Sequence, residues 1–371
     1  MSVVTIGNDF PFFGVQGVNE VSCAYDTVNE KIVVAFENPF DSNKGYAVVG
    51  TVTGMEISWG TPVKVLDSDA QEINIFYDSV SGKFVVSAYW NKCVVVEVSG
   101  TSVNCGSDTT IDSSDTRSMY VKGTSTGGNI VLAYVTYSGN IPRVIVGAIA
   151  GLTISFGSPA SFSPVRVSTP FSATYDSTND KVVIFYKNYN APNYCMTNVC
   201  SVSGTTITPG TPSQAYTSNS PSSLEASYNV TQGKIIMTFH DHISLVNVVL
   251  AGSVNGASMT YGTAVNWAVY DFPGEPQSVA DVEHAALVFK KSSNNRPQLM
   301  RFDLSATPPT YDDQIEVSTN QASGMALVNI SEGIFVVCFI NLSDTLGSAH
   351  VVKIIPSVFW TNFKDQTETA S

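Results

Sequence analysis

The stretch YDSTNDKVVIFYKN, residues 175–188, decides how the whole chain is read, because it recurs. YDTVNEKIVVAFEN begins at Tyr25, YDSVSGKFVVSAYW at Tyr77 and YNVTQGKIIMTFHD at Tyr228. Each copy has the end of one strand, a polar turn, and then a strand rich in β-branched and aromatic residues, which is the signature of a β-hairpin. The lysine that opens the second strand is a convenient marker: Lys31, Lys83, Lys181 and Lys234, with Asn129, Ala285 and Gly333 in weaker copies. Successive markers lie 46 to 53 residues apart and span nearly the whole chain.

A second motif follows each hairpin. It reads YAVVGTVTGMEISWGTPV from Tyr46, VIVGAIAGLTISFGSPA from Val144, MTNVCSVSGTTITPGTPS from Met196 and VNVVLAGSVNGASMTYGTAV from Val246. Strand, glycine-containing turn and strand make another hairpin. A period near fifty with only strands inside it leaves a β-propeller or a β-solenoid, since one such unit cannot bury its apolar faces alone. Two hairpins per period give four antiparallel strands, the content of one propeller blade. The expected fold is therefore all-β: a single seven-bladed β-propeller of four-stranded antiparallel blades over residues 1–371.

The second strand of each unit is apolar at consecutive positions, as in KIVVAF at Lys31, KFVVSAY at Lys83 and KVVIFY at Lys181. A strand with one wet face would alternate, so these are expected to be covered on both sides, as blades stacked around an axis would cover them. Residues 3–13 resemble the last strand of a repeat with no earlier strands before it. They are expected to close the ring by completing the final blade; VFWTNF, residues 358–363, is the competing choice. The polar segment 364–371 reads as a flexible tail or tether.

Charged residues make up 13% of the 371-residue chain, 18 basic against 31 acidic, a net charge of −13. Phosphate recognition needs a basic surface, so nucleic acid is excluded as a partner, and no apolar run reaches the length of a membrane span. The N-terminal MSVVTIGNDF lacks the basic and apolar segments of a secretory signal, so none is expected. Of six cysteines, Cys23 and Cys338 sit in apolar strand patterns and read as core. Cys195 and Cys200 are placed on opposite faces of one strand, and Cys93 and Cys105 flank a turn that leaves a bridge between them open.

Catalytic signatures are missing from the sequence. No G-x-S-x-G elbow, phosphate-binding glycine loop or alternating-Asp calcium loop occurs, and DSSD at Asp112 is a lone acidic turn. The boxes S-x-D-x-G-x-T-W of sialic-acid-cleaving propellers are absent, and the arginines are Arg117, Arg143, Arg166, Arg296 and Arg301. His240 and His242 form an H-x-H pair without a third ligand at suitable spacing, so no metal and no cofactor is expected.

Binding is the better expectation. Strand alternation puts the first-to-second and third-to-fourth turns, which look alike from copy to copy, at one end of the ring. The loops that differ in length and chemistry fall at the other. These are ENPFDSNKG, WNK, TYSGNIP, KNYNAPN, HDH, KKSSNNRP and NLSDTLGSA within blades, with the connections between blades. Loops that vary on a repeated scaffold are where recognition is built. The candidate ligand or receptor residues there are Phe40, Trp90, Asn91, Tyr137, Tyr189, Asn190, His240, His242, Tyr270 and Phe272. They are rings that stack on sugars or anchor protein contacts, beside side chains that hydrogen-bond hydroxyls.

The repeat, YD, a polar turn, K with VV and an aromatic, then VVGTVTG or VCSVSGTTIT followed by GTP, resembles the propeller repeats of tailed-bacteriophage virion proteins, especially tail and fibre components. The resemblance covers residues 21–317 most clearly and carries over no catalytic residue. It implies a non-enzymatic structural or host-adhesion component assembled in the host cytoplasm and located in the virion. Its partners would be other virion proteins, with a cell-surface glycan or receptor as a further partner and self-association left open. A soluble carbohydrate-binding lectin and a glycan-cleaving propeller enzyme are the alternatives. No shaft or trimerisation segment accompanies the repeats, which favours a module docked on neighbours over a free-standing fibre.

Overall fold

A computed structural model describes residues 3–14, 17–113, 118–136, 139–189, 193–217, 221–267, 274–280, 284–291, 293–305, 308–311 and 314–355, the side chains of 118–120, 168–170 and 274–280 excepted. It is a seven-bladed β-propeller of four-stranded antiparallel blades. The first blade shows the plan. Asn19–Asp26 lines the axis, Lys31–Asn38 and Lys44–Thr53 follow, and Glu56–Trp59 with Val63–Asp69 forms the outer edge. Both edge segments pair with the same third strand, Glu56–Trp59 with its C-terminal half and Val63–Asp69 with its N-terminal half. The fourth strand is thus one long strand broken at Gly60-Thr61-Pro62.

The break has a cause in the neighbouring blade. A Cβ on Gly60 would lie 2.1 Å from the carbonyl oxygen of Thr101, in the third-to-fourth turn of blade 2. Gly106 stands in the same relation to Leu152 at 1.9 Å, Gly157 to Thr205 at 2.0 Å and Gly7 to Met55 at 2.4 Å. At each of these seams the outer strand narrows to bare backbone so that the next blade's turn can seat against it.

The seventh blade is completed by the N-terminal strand. Val3–Ile6 pairs antiparallel with Gly347–Ile355, from Val3 opposite Ile355 to Ile6 opposite Val352. Gly7, Phe10 and Phe12 continue the ladder through backbone bonds to Val351, Ala349 and Gly347. Phe12 is 2% exposed, between Phe36 and Trp59 of blade 1 at ring separations of 5.7 and 5.8 Å. Residues 358–363 and 364–371 lie outside the described residues.

The core consists of apolar clusters sandwiched between successive blades. Ile32 to Phe36 are each fully buried, as consecutive apolar positions demand of a strand covered on both faces. In the two weakest repeats the marker slips by one position. The half-buried residues that open the second strand, equivalent to Lys31, are His284 and Ile334, not Ala285 and Gly333. Ala285 is already a core position, and Gly333 occupies the left-handed turn position (φ +67°) held by Glu30, Gly82, Asp180 and Gly233 elsewhere.

A Cys93–Cys105 bridge is ruled out by register. Cys105 lies opposite Val96, and Cys93 lies opposite Thr109. The turn is centred between Ser99 and Ser102, one position and a half beyond where the bridge needs it. All six cysteines are free.

Candidate functional site

The two ends of the ring are held by different devices. At the uniform end, a buried acid or amide closes the first-to-second turn in four blades, and in three of them it also grips the next blade. Asp26 accepts from the amides of Val28 and Asn29, from Asn29 Nδ2, and from the hydroxyl of Tyr77 in blade 2 at 2.6 Å. Asp78 accepts from Ser81 N and, in blade 3, from Ser125 Oγ and Gly128 N, both at 2.7 Å. Asp176 repeats the turn with Thr178 and Asn179, and Asn229 reaches the His284 carbonyl of blade 6 at 3.0 Å. Burial works against the charges of Asp26 and Asp78, but these hydrogen bonds outweigh it and hold both carboxyls below the usual range.

At the variable end, a polar residue closing the second strand shapes the loop that follows and pushes an apolar side chain outward. Asn38 Oδ1 accepts from Phe40 N at 3.0 Å, and Phe40, on the 3-10 turn Pro39–Asp41, is 66% exposed. Asp241 Oδ1 accepts from Ile243 N at 3.0 Å, and Ile243 is 69% exposed. Asn341 Oδ1 accepts from Ser343 N beside exposed Leu342, and Thr136 Oγ1 accepts from the amide of exposed Ile141. Tyr189 stands out from blade 4, its amide bonded to the Arg166 carbonyl. Among the described residues, five of the seven blades thus expose a large apolar side chain in the loop between second and third strands. Leu245 is the most telling. Its backbone is left-handed at φ +56°, a conformation that costs a leucine about 1–2 kcal/mol, and its side chain is 59% exposed.

Several sequence candidates turn out to serve the scaffold. Asn91 is 2% exposed; its amide donates to the Asp112 carbonyl at 2.6 Å while its oxygen accepts from Asp112 N, and Tyr134 donates to the Asp112 carboxylate. It clamps the loop to the segment leading into blade 3, so Asn91 is corrected from ligand contact to structural residue. His240 is likewise buried, with Nδ1 2.9 Å from Asn247 Oδ1, and burial lowers its pKa so that the ring is neutral at pH 7. His242 is exposed and meets the His240 ring edge-to-face at 5.6 Å. Trp90 is half-buried against Tyr89. Tyr137, Asn190, Tyr270 and Phe272 lie outside the described residues. Residue type misses Ile141, Ile243, Leu245 and Leu342, because aliphatic side chains are neither the rings nor the hydrogen-bonding groups that mark a ligand contact in sequence; an Asn, Asp or Thr closing the second strand is the available signal.

Toward the axis, the inner strands of six blades carry a register shift. Beyond it, Lys122 of blade 3 reaches Glu225 of blade 5 at 3.2 Å, and Ser172 of the intervening blade donates to the same carboxylate. Burial disfavours the Lys122 ammonium, but Glu225, Glu72 and Glu20 outweigh it and keep its pKa above the ordinary value. The pair bridges blades that are not adjacent and so braces the axial mouth. At the rim between blades 1 and 2 lies a polar groove of about 480 Å³ lined by Lys64, Val65, Asp67, Gly106, Ser107 and Asp108. Among the described residues, no group of three or more His, Cys, Asp or Glu could hold a metal.

No protein-family model and no curated protein matches the sequence. Solved structures do match the fold. A protein of unknown function from Dyadobacter fermentans is 12% identical with a TM-score of 0.56, over 95% of this chain and 99% of that one. Trypanosoma rangeli sialidase is 13% identical with a TM-score of 0.52; the match takes in 79% of this chain but 56% of the sialidase. AofleA from Arthrobotrys oligospora is 10% identical with a TM-score of 0.50, over 85% and 91% of the two chains. At such identities the likeness establishes the propeller and nothing finer.

Proposed function

We propose that this propeller is a non-catalytic binding module of a tailed-bacteriophage virion, a tail or fibre component that holds a neighbouring virion protein or a host receptor at its variable end. The virion setting rests on the likeness of the repeat to those of such proteins. The binding reading rests on one observation above all: second-to-third-strand loops of five blades expose large apolar side chains on braced backbone. Ile141, Ile243, Leu245 and Leu342 are aliphatic and lack the flat face that stacks on a sugar ring. They favour a protein partner, with Phe40 and Tyr189 as aromatic anchors.

Mass spectrometry of purified particles tests the setting, which predicts a fixed copy number of the chain per particle; absence from particles contradicts it. Incorporation of variants tests the face. Phe40→Ala with Ile243→Asp should reduce incorporation at least tenfold, while Val28→Asp and Val80→Asp at the uniform end should leave it unchanged. A glycan array separates the lectin alternative, and sugar release from host polysaccharide separates the enzyme.

A further inference from the structure

We propose that the variable end of blades 3 and 4 is an electropositive sector that docks an acidic protein surface, with Arg143 and Arg166 taking its carboxylates. The proposal rests on the reading of the variable end as the binding face and adds the chemistry of the partner. Its first support is the distribution of charge. Residues 116–224, which build these two blades, carry six basic and two acidic side chains, while the rest of the chain carries twelve and 29. Both acids of the stretch lie in the first-to-second turn at the opposite end. There Asp176 accepts from the amides of Thr178 and Asn179, and Asp180 accepts from the hydroxyl of Tyr175. The loops that this stretch supplies to the variable end therefore contain no carboxylate.

The second support is that two guanidinium groups there go unmatched. Elsewhere cations meet carboxylates: Lys64 lies 2.9 Å from Asp67 and Arg296 2.8 Å from Glu316, and Lys83 pairs with Glu97. Lys122, within the stretch, is held by Glu225 in the axial brace. Among the described residues neither Arg143 nor Arg166 forms an ion pair, and the Nε of Arg143 is buried without a hydrogen-bond partner. Their backbones are fixed at the two ends of one connection. Val144, next to Arg143, exchanges backbone hydrogen bonds of 2.8 Å with Ala160, and the Arg166 carbonyl accepts from Tyr189 N at 3.1 Å. Between them, Asn198 Nδ2 of blade 4 donates to the Phe162 carbonyl at 2.9 Å. Exposed Ile141 lies two residues before Arg143, and exposed Tyr189 is the residue bonded to Arg166. Guanidinium groups on a held backbone, beside exposed apolar side chains, match a protein surface that offers carboxylates among apolar residues. On a chain of net charge −13 they also mark the one sector whose field draws an acidic partner toward it.

The probe is a fluorescein-labelled peptide of alternating glutamate and leucine, titrated into the full-length chain and followed by anisotropy at low and at high salt. Binding is expected at low salt and should weaken as salt is added. Arg143→Glu with Arg166→Glu should weaken it by about tenfold or more, and the pair Arg143→Gln with Arg166→Gln should do so in the same direction. Lys44→Glu with Lys92→Glu makes the same charge change at the variable end of blades 1 and 2 and should alter binding by less than about twofold. Phenylglyoxal modification of the unsubstituted chain reads the contact without any substitution: the peptide should shield Arg143 and Arg166 and leave Arg296 reactive. No binding at low salt, equal loss from the arginine and lysine pairs, or shielding absent at both arginines would overturn the sector. Tighter binding of hyaluronate than of the peptide would overturn the protein partner in favour of an acidic glycan, and self-association abolished by the arginine pair would overturn it in favour of a second copy. No particle enters the experiment, so its outcome is independent of the virion setting.

Discussion

Asp78 shows how much one side chain does in a repeat. Its two oxygens take a turn amide in blade 2 and a hydroxyl and an amide in blade 3, all donors. Asn229 fills the corresponding place in blade 5, where its amide finds a carbonyl of the next blade. Asp78→Asn would set an NH2 group against a donor and should cost about 2 kcal/mol in denaturant unfolding. The carboxyl's pKa is depressed in the folded state, so its stabilisation is present above the unfolded value and lost as pH falls below about 4. The loss of wild-type stability on acidification should accordingly be shallower in Asp78→Asn. Leu245 makes the opposite case. Leu245→Gly should gain about 0.5–1 kcal/mol by relieving the left-handed backbone, and should weaken partner binding. Equal binding with the gain in stability would remove Leu245 from the site.

At the scale of strands and turns, the G-T-P that follows the last hairpin gains its physical reason. Gly106→Ala should destabilise by about 3 kcal/mol or more in thermal or denaturant unfolding, because its methyl would meet the Leu152 carbonyl at 1.9 Å. Gly100→Ala, at φ +61° in open space, should cost only about 1 kcal/mol. Strand order, turn chemistry and blade count were legible because each repeat states them again, and seven noisy copies fix one period. The register of Cys93 and Cys105 was not legible, since a turn fixes pairing only once its bulge and length are known. The burial of Asn91 and His240 was hidden for a related reason: a polar residue in a loop looks the same in sequence whether it faces water or clamps the backbone beneath.

For the whole molecule, closure and asymmetry are the two properties that matter. Deleting residues 1–13 removes the outer strand of blade 7 together with Phe12, whose burial alone accounts for about 3–5 kcal/mol. The truncated chain should melt well below the intact one, and an unchanged Tm would show that the ring closes without this strand. The repeated scaffold makes the two ends differ in kind. One has buried acids and an amide gripping the next blade, and the other has polar braces that push apolar side chains into solvent. Side-chain oxidation footprinting, comparing the free chain with the chain in purified particles, tests that assignment most directly. The predicted result is protection of Phe40, Tyr189, Ile243, Leu245 and Leu342 with Val28, Val80 and Val230 unchanged; protection confined to the three valines would contradict it.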